Sequence, residues 1–164
     1  GPKGVAHEAG KGIVVAVNKW DLIEKETNTM RDFKKEIESE LLFMSYAPVI
    51  FISVAEKQRI YQVLEMAEYV AQKRAMRIPT GQLNSLIQDA TMMKQPPSDK
   101  GKRLKIYYAT QVAVKPPTFV IFVNDKELMH FSYTRYLENQ IRNAFGFKGT
   151  SLKFLVRERK GKEQ

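Results

Sequence analysis

The stretch that decides the fold is Ile13-Val14-Val15-Ala16-Val17-Asn18-Lys19-Trp20-Asp21. Five consecutive apolar residues read as a strand covered on both faces, the pattern of a parallel sheet between layers. The strand ends in Asn-Lys-x-Asp. An ionised Asp is acceptor-only and takes two parallel hydrogen bonds. Guanine offers two adjacent donors of that kind, its ring imino and exocyclic amino groups; adenine does not. The Asn amide can bond a base and tie neighbouring loops. The Lys stem can lie along a ring while its ammonium stays hydrated. Such a site rejects the wrong base because a mismatch leaves polar groups unpaired.

Working outward, Pro48-Val49-Ile50-Phe51-Ile52 is a second continuously apolar strand, ending in Ser53-Val54-Ala55. Between the two, Phe33, Ile37 and Leu41 recur at helical spacing, with Thr29 as the expected cap. After the second strand, Ile60, Val63, Leu64, Ala67, Val70 and Ala71 form one apolar stripe. Strand–helix–strand–helix predicts part of a doubly wound α/β sheet of the P-loop type. Ligands of such sheets sit at the carboxyl ends of the strands, where both Asn18-Lys19-Trp20-Asp21 and Ser53-Val54-Ala55 fall. Three fixed motif positions behind a buried strand outweigh the plainer reading, a strand end with a polar turn.

The phosphate half of a P-loop site is missing. No Gly-x-x-x-x-Gly-Lys-Ser/Thr run occurs, and Gly10-Lys11-Gly12 lacks both the hydroxyl and the upstream Gly. Without that loop there is no backbone cradle for phosphates and no hydroxyl for magnesium. The expectation is a guanine-reading half of a GTPase domain that these residues enter partway, with no catalytic residue and no metal ligand of its own.

Ile78-Pro79-Thr80-Gly81 breaks the pattern, so the expected domains are 1–77 and 78–164. The second half begins with a short helix carrying Leu83, Leu86, Ile87 and Ala90. A loop spans Gln95 to Arg103. From Leu104 to Val114, strict alternation predicts Leu104, Ile106, Tyr108, Thr110, Val112 and Val114 on one face, with Lys105 and Gln111 opposite. Thr118 to Val123 is a central strand. A helix capped by Ser132 should face Leu137, Ile141 and Phe145 inward and stop at Gly146. Leu152, Phe154 and Val156 alternate in a last strand. This half reads α-β-β-α-β, an open sheet with helices on one face.

Composition separates the halves again. The chain has 164 residues and a net charge of +9. Residues 1–80 carry 12 Lys+Arg against 11 Asp+Glu, and residues 81–164 carry 15 against 7. A basic module joined to a near-neutral one points to a polyanion, most simply RNA. The candidates are Lys102, Arg103, Lys105, Lys115, Lys148, Lys153, Arg157, Arg159 and Lys160. Cysteine is absent, which excludes thiolate metal sites and fits a reducing cytoplasm. His7 and His130 lie far apart, which argues against a metal centre. No apolar run approaches the roughly 18 residues of a membrane span.

The chain resembles the C-terminal part of the bacterial GTPase family Der, also called EngA, from about Ala6 to Lys160. The resemblance rests on Ala6-His7-Glu8-Ala9-Gly10-Lys11, Asn18-Lys19-Trp20-Asp21, Arg103 to Val112, Lys115-Pro116-Pro117, Phe122-Val123-Asn124-Asp125, His130-Phe131-Ser132-Tyr133, and the stretch from Leu137-Glu138-Asn139 to Gly149. It implies the end of a second GTPase domain followed by a KH-like domain. It also implies GTP or GDP as ligand, and a role in large ribosomal subunit assembly. The implied partners are rRNA and the remaining GTPase domains of the same protein. On this basis the guanine-side residues are Asn18, Lys19, Asp21, Ser53, Val54 and Ala55. The family's usual Ser-Ala-Leu stands here as Ser53-Val54-Ala55; the backbone N–H of residue 54 is implied to face the guanine carbonyl, with the Val bulk crowding the pocket. The whole protein would be a GTPase and this chain alone inactive. The competing readings are a stand-alone RNA-binding module and, against the missing phosphate loop, an intact hydrolase. Gly146-Phe147-Lys148-Gly149 matches the KH backbone clamp, but lies between a helix and a strand and reads better as a helix stop plus a turn. Tyr107, Tyr108, Phe119 and Phe122 read as core before stacking platform.

Overall fold

The computed structural model describes residues 10–23, 25, 28–41 and 46–159. The resemblance stretch Ala6 to Ala9, with His7, and the cation Lys160 lie outside the described residues. Among the described residues the chain is mixed α/β, with four α-helices and three small sheets. It divides into two compact units, residues 1–74 with 148–151 and residues 75–147 with 152–164.

In the first unit the order is β1 (Val15–Val17), a 3-10 turn (Trp20–Leu22), α1 (Thr29–Glu40), β2 (Val49–Phe51) and α2 (Ile60–Arg74). The two strands pair in parallel, Val15 with Val49 and Val17 with Phe51. They are shorter than the five-residue apolar runs that predicted them. A two-stranded parallel sheet is what the described residues contain; the doubly wound sheet is a finer expectation. The capping expectation is corrected. Asn28, left-handed at φ 71, is the residue before α1, and no side chain caps the helix there. The apolar stripe of α2 buries only Val70, while Tyr61 and Leu64 are exposed.

In the second unit α3 (Thr80–Met93) precedes a tiny hairpin of β3 (Ser98–Asp99) and β4 (Lys102–Arg103), which the sequence read as loop. Then come β5 (Ile106–Ala113), β6 (Thr118–Val123), a 3-10 turn (Lys126–Leu128), α4 (Phe131–Phe145) and β7 (Lys153–Glu158). The sheet order is β5-β6-β7, antiparallel and then parallel. The α3 and α4 helices cover one face. Leu83, Ile87 and Ala90 of α3 and Leu137 and Ile141 of α4 pack with Phe119, Ile121 and Val123 of β6. Burying each large side chain stabilises by about 1.5–3 kcal/mol. The stripe residues of both helices are those the periodicity picked out.

The phase of β5 is the main departure. The register shifts between Ile106 and Tyr108, and again between Gln111 and Ala113. A one-residue shift turns every later side chain to the opposite face. Ala109 and Gln111 therefore point into the unit, and Tyr108 and Val112 point out. Gln111 is satisfied there. Its amide nitrogen donates to the carbonyls of Met76 (2.9 Å) and Ala113 (3.1 Å), and its amide oxygen accepts from the Ile78 N–H (2.7 Å). A buried amide with all these partners costs little.

The cap of α4 is His130, without a side-chain cap bond, so Ser132 lies inside the first turn. The expected stop holds: Gly146 is left-handed at φ 73 and donates to the Arg142 carbonyl across 2.9 Å.

Candidate guanine-reading site and basic face

The parallel register of β1 and β2 sets their carboxyl ends side by side, and two loops leave from there. The Ile52 N–H donates to the Val17 carbonyl (2.7 Å) and the Trp20 N–H to the Ile52 carbonyl (3.0 Å), which extends the pairing into the loops. Two side-chain bonds then join the motifs. The Ser53 hydroxyl donates to an Asp21 carboxylate oxygen across 2.6 Å. The Val54 N–H donates to the Asn18 amide oxygen across 3.2 Å. The structure thus brings Asn18 and Asp21 together with Ser53 and Val54, residues separated by more than thirty positions.

Each residue has a distinct place. Ser53 is fully buried, and its oxygen also accepts from the Glu56 N–H at 3.1 Å. It holds Asp21 in one orientation while the rest of the carboxylate's acceptor capacity stays available. Lys19 is exposed in the left-handed region, φ 62, which turns the chain sharply between Asn18 and Trp20. Val54 is 61% exposed. Its N–H, which the family resemblance aims at a base carbonyl, is engaged by Asn18 in this structure. Ala55 is exposed in the turn closed by the Lys57 N–H on the Val54 carbonyl, 3.3 Å.

The sequence reading missed two supports. Trp20, the variable position of the motif, is 2% exposed. Its ring lies 4.5 Å from that of Phe51, tilted by 37°, and meets Phe33 edge-on at 5.8 Å. Its burial anchors the loop that carries Asp21. Arg59 donates to the Phe51 carbonyl at 3.2 Å, and Ser53 and Gln58 bridge each other, so the second loop is tied back on itself. An aromatic between two motif residues, next to an apolar helix stripe, was the available signal. Beside the loops a cavity of about 400 Å³ is lined by Trp20, Lys25, Asn28, Thr29, Met30, Gln58 and Arg59.

These residues fit a guanine ring's donors. They do not fit magnesium: the one carboxylate among the six is Asp21, and it already accepts from Ser53.

The basic candidates fare unequally. Lys102 pairs with Asp125 at 3.3 Å, and Arg103 donates to Gln95 (3.2 Å) and the Pro96 carbonyl (2.8 Å). Both therefore serve the hairpin. A backbone bond from Glu127, then Lys102, holds the Asp125 carboxyl below its usual range. Lys105, Lys115, Lys148, Lys153, Arg157 and Arg159 are exposed. On β7, Lys153 and Arg157 project outward while Phe154 and Val156 pack on the core.

Gly149 is left-handed, φ 72, and a Cβ there would meet the Ile13 carbonyl oxygen at 2.6 Å within its own unit. Gly146 stops a helix and Gly149 permits a close approach, so each has a structural role. Phe119 is fully buried between Phe147 and Phe154 and leaves the list of stacking candidates.

The chain thus has mixed α/β architecture, with two neighbouring strand ends whose loops form one polar site in the first unit and a three-stranded sheet covered by two helices in the second. The family described as KH-domain-like of EngA bacterial GTPase enzymes, C-terminal, matches residues 77–157. The chain is 59% identical over 160 residues to GTPase Der of Alkaliphilus metalliredigens, covering 98% of the chain and 36% of that relative. It is 60% identical over 160 residues to GTPase Der of Lachnospira eligens, with the same coverage. GTPase Der of Enterococcus faecalis is 59% identical over 157 residues, 96% of the chain and 36% of the relative. Residues 77–157 are therefore similar to the C-terminal KH-domain-like family of EngA GTPases, and the chain as a whole is similar to part of GTPase Der. It spans little more than a third of the length of these relatives.

Proposed function

We propose that this chain contributes the guanine-reading part and the KH-like module of a GTP-binding protein that acts in assembly of the large ribosomal subunit. Asn18, Lys19 and Asp21 read the base, and the Ser53-Val54-Ala55 loop closes over it. The observation that carries this reading is the pair of bonds, Ser53 to Asp21 and Val54 to Asn18, joining the two motifs. The ligand is GDP or GTP, and the working compartment is the cytoplasm.

The 164 residues alone do not turn GTP over, because no phosphate loop supplies backbone donors or a magnesium-binding hydroxyl. Hydrolysis belongs to the longer protein, whose other GTPase domains are partners of this chain. A phosphate-release assay tests the point: release stays at the no-protein level. Turnover abolished by Asp21→Ala would overturn it.

The second unit binds rRNA through charge. Its support is the excess of 15 Lys+Arg over 7 Asp+Glu in residues 81–164, with Lys105, Lys153, Arg157 and Arg159 exposed. Contacts between these cations and phosphates release counterions, so affinity falls steeply with salt. Titrating the chain against ribosomal RNA at two salt concentrations tests this. Binding that does not respond to salt, or no binding at low salt, would leave a protein-contacting module instead.

A further inference from the structure

The first turn of α1 opens onto the cavity beside the two tied loops. Asp32 is the first residue whose N–H bonds within the helix, to the Asn28 carbonyl at 3.0 Å. The N–H groups of Met30 and Arg31 therefore have no intrahelical acceptor, and Asn28, at the cap, makes no side-chain bond to them. Asn28, Thr29 and Met30 line this cavity of about 400 Å³, with Trp20, Lys25 and Arg59.

A buried donor shares the space. Trp20 is 2% exposed, with Phe51 and Phe33 against its ring and the Lys25 ammonium 5.2 Å from the ring centre. Its indole N–H has no acceptor among the described residues. Nor is the indole nitrogen sealed from solvent. A nitrogen that is neither bonded nor sealed, on a ring this deeply buried, opens onto the cavity that the ring lines. An indole N–H only donates, so what it lacks is an acceptor.

Two cations complete the donor set. Lys25 Nζ gives one bond to the Ile23 carbonyl (3.4 Å), and Arg59 Nη1 gives one to the Phe51 carbonyl (3.2 Å). An ammonium has three donors and a guanidinium five, so both keep N–H groups for a ligand. Among the described residues that line the cavity there is no carboxylate. Asp32, the acid of the first helical turn, is not a lining residue and lies 3.9 Å from Arg31.

We propose that this cavity binds a small phosphate-class oxyanion, held by the Trp20 indole N–H, the first-turn N–H groups of α1 and the Lys25 and Arg59 cations. A helix N-terminus, an unpartnered donor and two positive charges together suit a dianion. The inference does not rest on base recognition, since none of Asn18, Lys19, Asp21, Ser53, Val54 and Ala55 lines the cavity. It adds a second ligand beside the loop that Trp20 anchors.

Trp20 is the chain's single tryptophan, so a heteronuclear NMR spectrum of the labelled chain holds one indole resonance. Inorganic phosphate is the probe. Its titration shifts that resonance downfield and saturates, while sodium chloride at the same ionic strength leaves it in place. Lys25→Gln and Arg59→Gln each weaken binding by roughly two- to five-fold, the loss of one exposed ion pair. Guanosine, which carries no phosphate, does not displace the anion. A resonance that phosphate does not move, or that chloride moves as far, would overturn the proposal. Displacement by guanosine would also overturn it, by putting the phosphate in the base site; failure of guanosine to bind would touch only the guanine reading. Glu24 and Glu26, on either side of Lys25, lie outside the described residues. A phosphate response seen only after Glu24→Gln with Glu26→Gln would mean that a carboxylate of the chain itself takes these donors, and the proposal would fail. The backbone resonances of each variant confirm that it is folded.

Discussion

The Ser53 hydroxyl donates to the Asp21 carboxylate across 2.6 Å, from a side chain that is itself fully buried. A buried hydroxyl with a second bond, from the Glu56 N–H, cannot swing away. It therefore fixes the one acidic group of the candidate site before any ligand arrives. Preorganisation of this kind improves affinity by reducing what must be ordered on binding.

Ser53→Ala should weaken guanine-nucleotide binding several-fold, because the Asp21 carboxylate is no longer held in one orientation. Removing a hydrogen bond to a charged group costs about 1.5–3 kcal/mol, part of it in stability. Chemical denaturation together with a nucleotide titration separates the two effects. An affinity equal to wild type would mean that Ser53 only packs.

Asn84 closes the outer edge of β5. Its amide nitrogen donates to the Ala109 carbonyl (2.8 Å), and its amide oxygen accepts from the Ala109 N–H (2.9 Å), as a neighbouring strand would. Asn84→Ala should destabilise the second unit by about 1.5–4 kcal/mol, since it also removes the amide's bond to the Thr80 carbonyl (2.9 Å), three net hydrogen bonds in all. Asn84→Asp keeps an acceptor for the Ala109 N–H but sets a carboxylate oxygen against the Ala109 and Thr80 carbonyls, so it is destabilised at least as much as Asn84→Ala. Thermal unfolding reads the difference, and an unchanged midpoint for Asn84→Ala would contradict the role.

Tyr133 gives the second unit an alkaline limit. Its hydroxyl donates to the Lys94 carbonyl across 2.9 Å. Burial, with Tyr136 beside it, pushes the phenol up to about 12. An unfolded Tyr loses its proton near pH 10. The folded state therefore holds the proton longer, and the stability it gives is complete below about pH 10 and lost as pH rises to about 12. Tyr133→Phe should flatten that part of the stability curve relative to wild type. Parallel curves across this window would contradict the assignment.

Much of this was legible in the sequence, for reasons tied to particular residues. Leu83, Ile87 and Ala90, like Leu137 and Ile141, lie at helical spacing on faces that are buried, and Gly146 ends its helix left-handed. Asn18 and Asp21 meet Ser53 and Val54 because parallel strands place successive loops at the same end. The face of Tyr108 was not legible. Alternation counts residues, and the irregularity at Ile106/Tyr108 adds a step that no composition signal marks. Nor were the caps: Asn28 and His130 precede their helices without side-chain cap bonds, where Thr29 and Ser132 looked better suited. Propensity at a cap is a weak prior against the path the chain takes into the helix.

The central claim is that the two tied loops read guanine, and calorimetric titration of the chain with GDP and with ADP tests it most directly. The account predicts weak GDP binding, since the phosphate cradle is missing, with ADP weaker still. Asp21→Ala should remove the difference, a loss of roughly ten-fold or more for two bonds to a charged group. Equal binding of ADP and GDP by the unaltered chain would contradict it.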